Sequence, residues 1–434
     1  MAGALIGLQA LLGLCGIFLV FDGPIALAAL ALAAGVLLLL IAVSLRPGDA
    51  AHAWRAGRIA VPLLLLPVLV MVTQCLPNPL WGNAIWSTAA TALNEQLFGA
   101  TTIDLGATVG ALGRTLVVVG VGVAALCVAV DRRRVEGLLH VLIAVTALLP
   151  LAMMAALAFA PGLAAEAGHD LHAPLTAIAG LGILVGTTAM VRRFEQIEIS
   201  RGHGAPGPLR HHSRAIVDIL ALAICLAAVI TVGSRMSWLA VFCAWFAMFS
   251  VPVIRRFLSH TNGMRTVMAV VVAAVVMLLA IPMLHGAGEP VLRLAAGADT
   301  PQIELAQRML GDTRWFGNGG GTYEAVAPLY RTFADPASAL APPTTAAALA
   351  VDFGRPVLAA LVILCVVLAA LLFDRALWRG RDAFYPGLGG GALILATFTL
   401  FVDDSLAATT VAVLLAAIVG VALGQSLSTK QTLE

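Results

Sequence analysis

The chain has 434 residues, of which 61% are hydrophobic and 11% are charged, and its mean hydropathy is +0.99. A water-soluble domain has about 25% charged residues, so this composition excludes a soluble protein. The net charge of +2 is too small to indicate a nucleic-acid-binding protein. The six cysteines lie mostly within apolar segments and lack the spacing of a zinc site or a disulfide framework.

Apolar segments of about 18 or more residues follow one another along the chain, and each is long enough as a helix to cross a hydrocarbon core. The alternating segments of about ten residues that are typical of transmembrane β-barrels are not found. We therefore predict an all-α polytopic membrane protein with about twelve transmembrane helices, forming a single membrane domain over residues 1–434. The predicted spans are 4–21, 24–45, 58–75, 108–130, 137–160, 173–191, 216–233, 237–254, 266–285, 346–373, 385–402 and 405–424.

The distribution of basic residues between the connections predicts the orientation of the spans. Of the 25 arginine and lysine residues, 18 lie in one set of connections and 7 in the alternate set. Because basic residues are retained on the cytoplasmic side, this bias predicts that both termini are cytoplasmic. Two long polar connections, at about 76–107 and 286–345, are then extracytoplasmic.

The connection 286–345, between predicted spans 9 and 10, is expected to be a large loop that contains short helices. Pro301 suits the first turn of a helix that runs through about residue 311, with Asp299 or Thr300 as its cap. A glycine-rich segment at 317–321 then breaks regular structure. A second short helix is predicted over 322–333.

Arginines on the predicted outer side are exceptions to the rule that basic residues are retained on the cytoplasmic side, and they are therefore candidates for function. Arg235 lies in a connection of a few residues between two spans, which places it at or just inside the membrane boundary. A charge there costs at least about 2.5–3.5 kcal/mol unless it reaches the interface or is paired. Two interpretations remain open: Arg235 extends to lipid phosphates, or it faces a cavity and binds an anion.

Three more arginines and one acidic residue on the same side are also candidates. Arg114 lies one or two turns inside the fourth span, where it either pairs with an acid such as Asp104 or Asp352 or binds an anion. Arg293 and Arg308, in the large loop, are loop charges or guanidinium groups suited to phosphate. Asp352, at the start of span 10, is a site residue or a partner of Arg355 or Arg114.

The segment Gln307–Tyr323 resembles a motif of the O-antigen ligase and O-antigen polymerase family. In that family a periplasmic amphipathic helix leads into a turn of the pattern bulky-Gly-x-Gly-x-Gly-x-aromatic. Here the turn is Phe316-Gly317-Asn318-Gly319-Gly320-Gly321-Thr322-Tyr323. The resemblance implies that Gly317, Gly319 and Gly321 shape this turn. Two interpretations are open for Trp315, Tyr323 and Tyr330: they stack on sugar rings, or they pack within the protein.

Three further segments resemble elements of the same family, in the same order along the chain. Gly233–Leu239 is similar to its Ser-Arg-Gly-x-Trp element, and Leu349–Pro356 is similar to its acidic-hydrophobic-Gly element. Thr101–Thr108 is similar to a short outer motif before an early span. The chain resembles a divergent member, because the family's histidine nine residues before the acid is replaced by Pro343, and the family's loop-helix arginine falls at Asp299.

The resemblance implies a membrane glycosyltransferase that polymerises oligosaccharide repeat units linked to polyprenyl diphosphate. The reaction would take place at the outer face of a bacterial inner membrane and would produce exopolysaccharide, O-antigen or capsule. The donor carries its own leaving group, so no metal or other cofactor is expected, and guanidinium groups would stabilise the departing diphosphate. Expected partners are the lipid-linked oligosaccharide, membrane lipids, a chain-length regulator and export proteins.

The resemblance implies Arg235 and Asp352 as catalytic residues. The diphosphate-binding candidates are Arg235, Arg308, Arg293 and Arg114. Asp352, Asp335, Glu324 and the diphosphate itself are all candidates for the base. Three alternative functions remain open: ligation of O-antigen to the lipid A core, transport of a lipid-linked saccharide by a flippase, and a purely structural membrane scaffold. A flippase would show internal repeats with helices broken by glycine or proline at matching positions.

Overall fold

The computed structural model describes most of the chain. The described ranges are 1–16, 23–77, 82–95, 99–159, 161–202, 208–257, 290–295, 298–333, 336, 340–379 and 382–427. Within them the structure is helical and contains no β-strand. The protein is an all-α membrane protein, as predicted.

The helices of the described residues are numbered in chain order. They are α1 (Ala2–Leu14), α2 (Pro24–Ser44), α3 (Pro47–Gly57), α4 (Ala60–Leu64), α5 (Leu66–Cys75), α6 (Ala84–Leu93), α7 (Leu105–Val128), α8 (Arg132–Phe159), α9 (Pro161–Gly202), α10 (Pro208–Val232), α11 (Arg235–Phe257), α12 (Thr300–Asp312), α13 (Tyr323–Tyr330), α14 (Thr345–Phe353), α15 (Arg355–Trp378), α16 (Phe384–Val402) and α17 (Thr409–Gly424). Short 3₁₀ helices cover Pro290–Leu292 and Ser405–Ala407.

Eight helices in the described residues are long and apolar enough to cross a membrane, or nine if a bent pair forms one span. Seven of the eight coincide closely with predicted spans. The eighth, Arg355–Trp378, corresponds to the predicted span 346–373 but begins later, because the chain breaks at Gly354. Residues 345–353 form the separate helix α14, so the predicted start of this span was wrong.

The other predicted spans differ in length or continuity. Span 58–75 is divided into α4 and α5, which together bend by 63° against α3. Spans 4–21 and 405–424 correspond to the shorter helices Ala2–Leu14 and Thr409–Gly424. Predicted span 266–285 lies outside the described residues.

Small residues place the helices close together at the centre of the bundle. The membrane segment of α16 is completely buried, and that of α9 is 89% buried. A Cβ on Gly180 of α9 would lie 3.0 Å from Val241 of α11 and 3.1 Å from Leu395 of α16. Since lipid tails give no hydrophobic drive for association, membrane helices pack through such small residues.

The two ends of the bundle differ in chemistry. Helices α11 and α16 are antiparallel, since Val241 lies across from Leu395 near one end and Met248 from Gly387 near the other. Arg235 therefore lies at the same end as Asp403, whose backbone oxygen accepts a hydrogen bond of 2.9 Å from Thr345 of α14. We call this end the glycine-turn end. The opposite end, where most arginines lie, is the arginine-rich end.

The loop helices agree with the prediction from sequence. Helix α12 covers Thr300–Asp312 and begins with a capping box, in which Asp299 is the N-cap and Gln302 returns a hydrogen bond to the Asp299 backbone. The second predicted helix is observed as α13 over Tyr323–Tyr330, shorter than the predicted 322–333. The glycine-rich segment between them is a turn.

Candidate functional site

Four glycines shape the backbone at the glycine-turn end. Gly317, Gly319 and Gly321 have φ values of +69°, +117° and +73°, and Gly354 has +85°. L-residues rarely adopt these values, so glycine is favoured at each position. A Cβ on Gly317 would overlap the Asp352 backbone oxygen, and one on Gly319 would overlap Thr102 Oγ1. The sequence pattern of alternate glycines is therefore explained by backbone geometry and by close contact.

Asp352 holds this glycine turn in place. Its Oδ2 accepts a hydrogen bond of 2.7 Å from the Gly321 backbone N–H, and its Oδ1 accepts one of 3.1 Å from the Thr322 N–H. The Tyr323 N–H also donates to this carboxyl group. Since these donors form the start of α13, the carboxyl group occupies the position where the N-terminus of that helix attracts an anion.

The Asp352 side chain is buried, and its pKa reflects two opposing effects. Burial raises the pKa from 3.8 to about 7, while the hydrogen bonds from Gly321, Tyr323 and Thr322 lower it from what burial alone would give. The alternative that Asp352 forms an ion pair was wrong: within the described residues, neither Arg355 nor Arg114 pairs with it. Arg355 instead donates to the Leu310 backbone oxygen at 3.1 Å, at the C-terminal end of α12.

Gln74, near the end of α5, connects the turn to the bundle, and the sequence analysis did not identify it. Its Nε2 donates to the backbone oxygens of Phe316 (2.9 Å) and Asp352 (3.0 Å), and its Oε1 accepts from the Gly320 N–H at 3.1 Å. The side chain is 3% exposed. A polar residue inside the predicted apolar span 58–75 was the available signal, because buried amides are normally hydrogen-bonded.

The segment Thr101–Thr108 forms the third side of the same unit. The Thr102 N–H donates to the Gln74 backbone oxygen at 3.2 Å, and the Ile103 N–H donates to the Asn318 oxygen at 2.8 Å. The hydroxyls of Thr102 and Thr108 are 2.6 Å apart. Three segments that are distant in sequence, 101–108, 316–323 and 349–356, are therefore joined by hydrogen bonds.

Arg114 lies one turn deeper than the glycine turn. A Cβ on Gly321 would lie 3.0 Å from Ala111 Cβ and 3.2 Å from the Ala107 oxygen, so α7 presents these residues to the turn. Arg114 follows them at helical spacing and shares their face. Its side chain is half-buried and has no hydrogen bond or ion pair with the described residues, and Asp104 instead caps α7 through the Ala107 N–H. The alternative of a pair with Asp104 or Asp352 was wrong.

Arg235 is the first residue of α11, directly after a two-residue turn at Gly233-Ser234, as the sequence predicted. The turn is fixed by Ser234, whose Oγ accepts from the Ser237 N–H at 3.1 Å. The Arg235 side chain is exposed and makes no hydrogen bond or ion pair with the part of the chain that the structure describes. Its guanidinium group is therefore available to an anion at the glycine-turn end.

The loop arginines are held differently. The Arg308 Nε donates to the Glu304 backbone oxygen at 3.3 Å within α12. Arg293 follows the 3₁₀ helix Pro290–Leu292, which packs against α14. Neither residue joins the hydrogen-bonded unit of Gln74, the turn and Asp352.

The two aromatic candidates next to the turn have opposite environments. Trp315 is 79% exposed, so its ring is accessible to a sugar face. Tyr323 is only 3% exposed and packs within the core of the loop, where burial and the nearby Asp352 raise the pKa of its hydroxyl. Tyr323 therefore supports the turn from inside rather than presenting a stacking surface.

The site consists of a rigid glycine turn, an exposed tryptophan and two arginines without partners among the described residues. The described part of the chain contains no group of three histidine, cysteine or acidic side chains that would hold a metal ion. No protein-family model matches this sequence, and no curated protein matches it.

Proposed function

We propose that this protein is a membrane glycosyltransferase that polymerises oligosaccharide repeat units linked to polyprenyl diphosphate. The observation that carries the proposal is the assembly of the segments 101–108, 316–323 and 349–356 into one hydrogen-bonded unit. These are three of the four segments that resemble the O-antigen ligase and O-antigen polymerase family. The fourth supplies Arg235 at the same end of the bundle.

In the proposed reaction, an acceptor sugar hydroxyl attacks C1 of the donor sugar. A glycosidic C–O bond forms, the bond from C1 to the diphosphate oxygen breaks, and polyprenyl diphosphate leaves with the bonding electrons. We assign Arg235 and Arg114 to the diphosphate, because neither guanidinium group is neutralised by a described residue. Arg293 and Arg308 are secondary candidates for the same contact. Preorganised positive charge stabilises the negative charge that grows on the leaving group.

The proton of the acceptor hydroxyl needs a base, and Asp352 is too buried to serve as one. That carboxyl group is 5% exposed and accepts hydrogen bonds from the turn, so we propose that it positions the turn. Glu324 is exposed in the first turn of α13 and directly follows Tyr323, whose N–H donates to Asp352. We propose Glu324 or the departing diphosphate as the proton acceptor. Asp335, another candidate from the sequence, lies outside the described residues.

The experiment is reconstitution of the purified protein with a short-chain polyprenyl-diphosphate oligosaccharide, followed by separation of the products by size. We expect a ladder of polymers from the wild type and at least a hundredfold slower polymerisation from Arg235→Ala, since loss of one charge-stabilising donor costs about 10²–10³ in rate. Arg133→Ala, an exposed arginine at the opposite end, is the matched control. Equal rates for both variants would contradict the role of Arg235.

The same assay separates the related activities. Transfer of a finished chain to a lipid A core acceptor, without polymerisation, would show a ligase. Absence of any new glycosidic bond in the presence of both substrates would contradict glycosyl transfer altogether.

One observation favours a second candidate, a transporter of lipid-linked saccharides. Among the described residues one membrane span is interrupted, because α3 and the pair α4–α5 are bent by 63°. Transporters bind substrates at such breaks. This function would be supported instead if a fluorescent lipid-linked saccharide moved across the vesicle membrane without chain growth, and if Arg235→Ala abolished the movement.

A further inference from the structure

A second polar cluster lies at the arginine-rich end, away from the glycine turn. Asp382 precedes α16 and forms an ion pair of 2.9 Å with Arg132, the first residue of α8. Arg379, just after α15, donates to Gln425 Oε1 at 3.1 Å. Arg192, near the end of the membrane segment of α9, pairs with Glu136. Tyr385 of α16 lies among these groups, within electrostatic range of Arg192, Asp382, Arg132 and Arg379.

Several donors in this cluster have no partner among the described residues. They are Arg192 Nε, Arg379 Nη1 and the Tyr385 hydroxyl; one acceptor, Asp382 Oδ1, lies 2.9 Å from Arg132 but also lacks a hydrogen bond of good geometry. Arg192 is 6% exposed and Tyr385 is fully buried. Unsatisfied buried donors are rare in folded proteins, so each one indicates a missing acceptor.

The charges in the cluster do not balance. Three guanidinium groups, from Arg132, Arg192 and Arg379, lie within electrostatic range of Tyr385 together with the carboxylate of Asp382, while Glu136 pairs with Arg192. The pKa of Arg379 is lowered, mainly by burial. Asp382 opposes this effect, and the positive charge of Arg132 adds to it. A group with several anionic oxygens would satisfy both the free donors and the excess positive charge.

A small apolar cleft of about 50 Å³ is lined by residues adjacent in sequence to members of the cluster. The lining includes Val191, next to Arg192, and Phe384, next to Tyr385. Phe249 and Pro252 of α11 form the opposite wall. The neighbouring Val253 is 49% exposed on the outer surface of the bundle. The cleft therefore offers an apolar surface next to the cluster for part of a hydrocarbon chain.

We propose that the cluster of Arg132, Arg192, Arg379 and Tyr385, with its adjoining cleft, binds an anionic phospholipid. The lipid phosphate accepts hydrogen bonds from the guanidinium and phenol groups, and an acyl chain lies against Phe249 and Phe384. Basic pockets between membrane helices have the chemistry to hold such head groups. The site is independent of the reaction proposed above, since it lies at the other end of the bundle.

The experiment measures lipid binding by the full-length protein in detergent, using native mass spectrometry with phosphatidylglycerol and with phosphatidylcholine. We expect retention of phosphatidylglycerol in preference to phosphatidylcholine. Arg132→Gln should weaken this binding about fivefold, because one basic residue near an anionic lipid contributes about 1 kcal/mol. Arg133→Gln removes the same charge from the next, exposed position and should retain the wild-type affinity.

A second measurement places the lipid in the cleft. Trp245 packs against Phe249 with ring centroids 4.7 Å apart and ring planes tilted by 34°, so its fluorescence reports on this wall. Phosphatidylglycerol with brominated acyl chains should quench wild-type fluorescence more strongly than that of Trp245→Phe. Equal weakening by Arg132→Gln and Arg133→Gln, or equal quenching in both proteins, would overturn the proposal. Displacement of the lipid by millimolar inorganic phosphate would show a site for free anions instead.

Discussion

Gly319 is the residue whose replacement tests the glycine turn most directly. Its φ of +117° is unfavourable for alanine, and a Cβ would overlap Thr102 Oγ1. The backbone conformation alone costs about 1–2 kcal/mol, so Gly319→Ala should lower the unfolding temperature of the purified protein and reduce activity. Gly311→Ala is the matched control, because a Cβ there meets nothing within 4 Å in helix α12. A Gly319→Ala protein as stable and active as Gly311→Ala would contradict this account.

Gln74→Ala tests whether the side-chain amide holds the turn against α5. The substitution removes three hydrogen bonds, to the backbone groups of Phe316, Asp352 and Gly320. The Asp352 oxygen keeps its hydrogen bond from the Gly319 N–H, so the main cost is the buried Gly320 N–H, for which a loss of about 1–3 kcal/mol is expected. Thermal unfolding and protease cleavage within 314–322 should both detect it. Gln307→Ala, in the half-buried face of α12, should change neither measurement.

The pH dependence of stability tests the burial of Asp352. Its pKa is about 7 in the folded protein and 3.8 in the unfolded chain. A raised pKa stabilises the fold fully below about pH 4, and this contribution is lost as the pH rises through about 7. The unfolding temperature of the wild type, measured relative to that of Asp352→Asn, should therefore fall as the pH rises from about 4 to about 7. Glu304→Gln, an exposed position, controls for the remaining acids; a shift in the opposite direction would contradict the prediction.

At the scale of elements, the contact between α7 and α17 fixes the helix that carries Arg114. A Cβ on Gly420 would overlap the Gly122 backbone oxygen and lie 2.9 Å from Ala125 Cβ. Gly420→Val should therefore separate the two helices at a cost of about 1–3 kcal/mol or more. Unfolding in a denaturing detergent titration would measure the loss. Gly35→Val on α2, where a Cβ meets nothing within 4 Å, should have a smaller effect.

At the scale of the whole molecule, the arginine bias predicts which end faces the cytoplasm. A cysteine at Leu329, 69% exposed in α13, should react with a membrane-impermeant maleimide in intact cells. A cysteine at Arg133 should react only after permeabilisation, because it lies at the arginine-rich end. The reverse pattern of labelling would invert the proposed topology and move the glycine turn to the cytoplasm.

Composition and hydropathy by themselves determined the all-helical membrane class and the positions of most spans. The reason is physical: a backbone in lipid must satisfy its own hydrogen bonds, so a long apolar segment becomes a helix. Local capping chemistry similarly determined the start of α12 at Asp299. These features depend on neighbouring residues alone.

Tertiary structure decided the features that depend on contacts between distant segments. The break at Gly354 exists because the Trp315 and Gly317 backbone occupies the space that a Cβ would need. The partner of Asp352 is the backbone of a turn about 30 residues earlier, where charge complementarity had suggested arginines. Gln74 was not identified because its amide has partners only after α5, the turn and α14 pack together. A hydrogen bond to a backbone N–H or C=O group leaves no signature in the side chains of the segment that supplies that group, so only the folded chain reveals it.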